Sequence, residues 1–91
     1  MHNLYLAYDL ITPGQKYEAV QNRIKQLGRW YKHQYSLYYV QSSLTAEQAH
    51  NFVRGVMDTN DKLVVIEAKN ACVNGVPAAE LAQLQTLFKA A

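Results

Sequence analysis

The sequence predicts an α+β domain whose elements run strand, helix, strand, strand, helix, strand. Three observations lead there. Leu4–Leu10 and Lys62–Ala68 are short apolar runs of strand length. Two amphipathic segments with capping signals follow strand-like runs. Between those segments, Arg29–Gln41 is rich in Trp, Tyr and Val, and is long enough for two strands.

The first strand has a period of two. Leu4, Leu6, Tyr8 and Leu10 share one face, and Tyr5, Ala7 and Asp9 share the other. Thr12-Pro13-Gly14-Gln15 then opens a helix: Thr12 can cap, Pro13 suits the first helical position, and Gln15 stands where a capping box needs Glu or Gln. Tyr17, Val20, Ile24 and Leu27 follow at helical spacing, and Gly28 reads as the helix stop. The next two strands are expected over Arg29–Gln34 and Tyr35–Gln41. Turn chemistry does not place the bend between them, because no Gly or Pro lies inside the stretch.

A second helix starts at Thr45, with Gln48 completing a capping box. Its stripe is Ala49, Phe52, Val53, Val56 and Met57. Asp58-Thr59-Asn60-Asp61 is a polar turn before the last strand. Residues 70–91 form an extension: Ala71-Cys72-Val73 as a short edge strand, Asn74-Gly75 as a turn, and Ala78–Lys89 as a short helix with Leu81, Leu84, Leu87 and Phe88 inward. Both amphipathic helices can lie on one face of a four-stranded antiparallel sheet, which is the ferredoxin-like β-α-β-β-α-β arrangement. The sheet face carrying Tyr5, Ala7 and Asp9 is then expected to stay uncovered, as a surface for a partner or ligand.

With 91 residues the chain is a single domain, with a core over about 3–69. A core this small, with Cys72 as the only cysteine, leads to the expectation of a homodimer. No segment is apolar for long enough to span a bilayer, the N-terminus lacks a signal pattern and there is no disulfide framework, so a reduced cytoplasmic protein is expected. The net charge is only +2, but it is unevenly distributed. From Lys16 to Lys32 there are five basic residues and one acid, against four basic and six acidic elsewhere. Lys16, Arg23, Arg29 and Lys32 are candidates for contact with RNA or DNA phosphates; an ordinary solvated helix face is the alternative.

Tyr8-Asp9-Leu10, Pro13-Gly14-Gln15, Leu27-Gly28-Arg29-Trp30, Gln34-Tyr35-Ser36-Leu37-Tyr38 and Asn60-Asp61, in this order, resemble the small CRISPR-associated "Cas two" proteins. The likeness is closer to their stand-alone relatives, the SinR family, than to the VapD-type ribonucleases of the same fold group. It covers roughly residues 3–69. The arginine run usual after the first-strand Asp in the CRISPR proteins is replaced here by Thr12–Lys16, which favours the stand-alone group. The resemblance implies a ferredoxin-like dimer in which the Asp of each protomer lies near the two-fold axis and binds a divalent metal such as Mg²⁺.

Asp9 is therefore the first candidate site residue, as metal ligand and catalytic group of a nuclease acting on RNA or DNA, with Ser36 and Asp61 as further candidates. Two carboxylates brought together repel, and a cation relieves this. From the residues alone, a solvated strand-end Asp capping the next turn is the favoured reading, and the resemblance brings the two readings level. Alternative functions are a non-catalytic nucleic-acid-binding or adaptor dimer, and a toxin-like accessory protein of a mobile element whose partner is another protein. His2, His33 and His50 show no metal spacing. Tyr5 and Tyr39 are read mainly as packing, and secondarily as a platform for stacking bases.

Overall fold

The computed structural model describes residues 1–11 and 17–91. The helix start expected at Thr12–Gln15, and Lys16 with it, lie outside these residues. The elements are β1 (His2–Asp9), α1 (Tyr17–Lys25), β2 (Gly28–Gln34), β3 (Leu37–Ser42), α2 (Ala46–Arg54), β4 (Lys62–Glu67) and α3 (Ala78–Ala90). The chain is α+β, with one four-stranded antiparallel sheet in the order β2-β3-β1-β4. Strands β2 and β4 are its edges.

Alternation in β1 sorts side chains between two environments. Leu4, Leu6 and Tyr8 join Tyr38 and Val40 of β3, Val20 and Ile24 of α1, and Ala49 and Val53 of α2 in one buried cluster. Burying an aliphatic side chain of this size contributes about 1.5–3 kcal/mol, so this cluster is the main source of cohesion. The box that starts α2 forms as its sequence predicts. Thr45 Oγ1 accepts from the Gln48 backbone N–H at 3.2 Å, and Gln48 Oε1 accepts from the Thr45 N–H at 3.0 Å.

The bend between β2 and β3 is a two-residue turn at Tyr35-Ser36, flanked by the pair Gln34 and Leu37. β3 thus begins at Leu37, not Tyr35. Bonds from Tyr8 fix the turn in place of Gly or Pro: its hydroxyl donates to the Tyr35 carbonyl at 3.0 Å, and its backbone N–H to the Ser36 carbonyl at 3.2 Å. The register of β2 slips between Lys32 and Gln34, leaving His33 as an extra residue on this edge.

Two further expectations change. Ala71-Cys72-Val73 is not a strand: these residues run as irregular chain from the end of β4 toward α3. And the face bearing Asn3, Tyr5 and Tyr39 is not wholly uncovered, because α3 lies on it. The cross-strand neighbours Asn3 and Gln41 donate their side-chain amides to the Phe88 and Leu87 carbonyls, at 2.8 and 2.9 Å. These two carbonyls lie in the last turn of α3, where helix carbonyls begin to run short of intrahelical partners and can accept from outside the helix. Two polar side chains on the sheet therefore cap a helix nearly fifty residues or more away in sequence, which explains their burial at 7% exposure each. Among the described residues, no helix is long and apolar enough to cross a membrane.

Candidate functional site

Asp9 sits exposed at the end of β1, facing the same side of the sheet as Tyr5 and Ala7, with Lys62 of β4 as its cross-strand neighbour. It makes no hydrogen bond or ion pair to a described residue; the turn it would cap in the alternative reading runs into residues 12–16, outside the described residues. Beside it is the part of this face that α3 leaves bare. One row crosses three strands as Val64, Ala7 and Leu37, and the next continues through Ile66 and Tyr5. Val64 and Ile66 are 53% and 54% exposed, which is high for β-branched apolar side chains in a sheet.

The other two acid-site candidates do not join Asp9. Ser36 lies in the β2–β3 turn, opposite Tyr8. Cross-strand partners share a face and neighbours along a strand alternate, so Tyr8 and Asp9 point to opposite sides. Asp61 is engaged in holding loops together. Its Oδ1 accepts from the Ile11 N–H at 3.0 Å and its Oδ2 from the Asp58 N–H at 2.8 Å, tying the chain after β1 to the turn before β4. No group of three or more His, Cys, Asp or Glu side chains suited to a metal occurs among the described residues. Among the described residues, one protomer thus offers at this place the carboxylate of Asp9.

The basic candidates divide by position. The Arg23 guanidinium lies 4.5 Å from the Phe52 ring centre, turned toward α2. Arg29 and Lys32 are three apart on β2, so the period of two sends them to opposite faces; Arg29 pairs with Gln41 on the α3 side, and Lys32 with Tyr38 on the core side. Lys32 has different company from the one expected. Its Nζ lies 4.8 Å from the Tyr35 ring centre, and Lys25 Nζ lies 4.6 Å from that of Trp30. Trp30 is 44% exposed and Tyr35 60%. The sequence signal for this group was the spacing Trp30-x-Lys32, which puts both side chains on one strand face.

Tyr39 is not a base-stacking platform. It is 1% exposed, its ring stacks on Phe88 of α3 with centres 5.9 Å apart, and its hydroxyl donates to Asn3 Oδ1. Beside it, an apolar cavity of about 300 Å³ remains between Tyr5, Leu81, Leu84 and Phe88. Burial, with a smaller contribution from neighbouring Tyr5, pushes the Tyr39 hydroxyl up to about 12. Its unfolded value is about 10, so the folded chain holds this proton longer. The stability it contributes is complete below about pH 10 and is lost as pH rises toward 12. Burial also raises Tyr5, Tyr8 and Tyr38. The melting temperature should therefore be flat up to about pH 9 and fall steeply between pH 10 and 12, by circular dichroism. Tyr39→Phe should make that fall shallower; an unchanged alkaline profile would contradict its burial.

A scan against protein-family models finds no match to this chain, and a search of curated proteins finds none either.

Proposed function

We propose that this chain is a nucleic-acid-binding homodimer of the ferredoxin-like class, similar to the stand-alone relatives of the "Cas two" proteins. The strand order β2-β3-β1-β4, with side chains from α1 and α2 in one buried cluster, supports that fold reading. The observation that carries the functional reading is the charge along the β2 edge. Arg29 borders it on one side, and Lys25 and Lys32 on the other. Glu18 is the only carboxylate in residues 17–36. Cations along an open edge can follow a phosphate backbone, whatever the modest net charge.

The second copy of the chain covers Val64, Ile66 and Ala7. A two-fold contact there buries an apolar strip that water otherwise wets, and brings two Asp9 carboxylates to one interface. Light scattering at micromolar concentration should give the mass of a dimer, and Val64→Asp with Ile66→Asp should give a folded monomer. A wild-type monomer would refute the dimer. Fluorescence anisotropy with labelled RNA and DNA at about 50 mM salt, where phosphate contacts are strongest, tests the binding; no signal with either removes the nucleic-acid reading.

Metal-dependent cleavage is the second reading, favoured by the free carboxylate of Asp9 beside that strip. Mg²⁺ is held by one or two carboxylates and several waters, so two Asp9 side chains fit it where one protomer alone provides a single ligand. When bound, such a metal activates water and offsets phosphate charge. Asp9 supplies the negative charge that draws it. Ser36, on the other side of the sheet, has no place in this reading.

A further inference from the structure

We infer that the β2 edge binds single-stranded nucleic acid by stacking bases on Trp30 and Tyr35 while Lys25 and Lys32 take the phosphates, an inference that rests on the nucleic-acid reading above and names its substrate class. Four side chains form the surface. Trp30 and Lys32 point the same way from β2, roughly 7 Å apart along the strand, and their cross-strand partners are Val40 and Tyr38. Tyr35 follows in the turn, with its ring 5.1 Å from Tyr17 at the start of α1. Lys25, in the last turn of α1, reaches over Trp30 from the side. Trp30 rests on buried Tyr38 at 6.0 Å, and Tyr35 on Tyr17, so each ring is braced by another ring and carries a lysine ammonium over it.

The two ring–ammonium pairs are arranged for exchange. A lysine over an exposed ring gains about 0.5–1 kcal/mol, whereas a base stacked on an aromatic side chain gains about 1–3 kcal/mol. A base therefore displaces the ammonium from the ring, and the ammonium moves to the phosphate of the same nucleotide. Stacking requires unpaired bases with free faces, so a duplex, whose bases are already stacked, cannot use these rings. Another strand is a poor occupant of this edge. The register slip at His33 breaks the ladder, and exposed lysine on an edge opposes strand addition. Stacking uses the face that every base has, so such a site is tolerant of sequence.

Trp30 is the only tryptophan in the chain, and it serves as its own reporter. The dimer is titrated with a single-stranded homopolymer of about 12 nucleotides, within the usual site sizes of single-strand binders, and with a duplex of equal length. Saturable quenching of tryptophan emission by the single strand, and not by the duplex, is expected. Tyr35→Ala, at an exposed turn position, should weaken single-strand binding about 5- to 150-fold, the equivalent of one lost stack, with an unchanged circular dichroism spectrum. Trp30→Ala should do the same. Lys25→Gln with Lys32→Gln should make the salt slope shallower by about 0.7 per lost phosphate contact. Binding seen by anisotropy without quenching, or unaffected by Tyr35→Ala, overturns stacking and leaves nucleic-acid binding standing. Absence of binding to either probe at about 50 mM salt overturns both.

Discussion

Gly28→Ala should lower the melting temperature by at least about 12 °C, the largest effect expected for an added methyl among the described glycines. A Cβ at Gly28 would stand 2.0 Å from the Gln41 carbonyl oxygen and 3.0 Å from its carbon. Both are backbone atoms of β3, so no side chain can rotate away; the two strands must part. Overpacking against movable side chains costs about 1–3 kcal/mol. Against a strand backbone we expect about 3 kcal/mol or more, and each kcal/mol lowers the melting temperature of a domain this size by about 4–8 °C. Gly55→Ala is the matched control. Its Cβ would meet the Phe52 carbonyl oxygen at 3.4 Å, an ordinary contact, with φ at −58°, and it should melt close to wild type. Thermal melts of the three proteins decide it: equal melting for Gly28→Ala and wild type would mean the strands do not approach this closely.

If the metal-dependent reading proposed above holds, Asp9→Asn should remove cleavage by orders of magnitude while leaving assembly and melting nearly unchanged. Asn keeps the size and can still accept a hydrogen bond, but it lacks the charge that holds a hard cation. Stability should not respond, because Asp9 is exposed and bonds to no described residue. The measurement is the cleavage rate on single-stranded RNA and duplex DNA with Mg²⁺ or Mn²⁺, for wild type and variant prepared in parallel. A contaminating ribonuclease gives equal rates in both. Equal rates would exclude a catalytic role for Asp9 and leave the proposed binding dimer as the remaining reading. A drop accompanied by monomer formation would instead place Asp9 in assembly.

Gly28 also marks where local reading runs out. As a residue after an amphipathic run, it has the signature of a helix stop. In the folded chain α1 ends at Lys25 and Gly28 already begins β2, with Ser42 opposite it. Both roles favour glycine, and only the strand that comes to lie beside it tells them apart. The basic candidates illustrate a similar limit. Charge density from Lys16 to Lys32 is legible in one dimension, yet it crosses a helix and a strand with different periods. The fold therefore turns Arg23 toward Phe52 and separates Arg29 from Lys32.

What the sequence determined by itself is the local half of the structure. Period-two alternation assigned Leu4, Leu6 and Tyr8 to the core side of β1, and Thr45 with Gln48 marked the start of α2 to the residue. These signals act between near neighbours, through the geometry of a single strand or helix turn, and so survive without tertiary context. The tertiary structure alone decided what covers the second sheet face. Asn3 and Gln41 carry no local signal of a distant partner, and the helix expected over Ala78–Lys89 has an inward face but no local signal of the surface it rests on. Their hydrogen bonds to Phe88 and Leu87 span 85 and 46 residues. No local pattern encodes such a pairing, because it depends on where the chain returns after β4. It forms because carbonyls in a helix's last turn can accept a further bond and the side-chain amides buried on the sheet need an acceptor out of water.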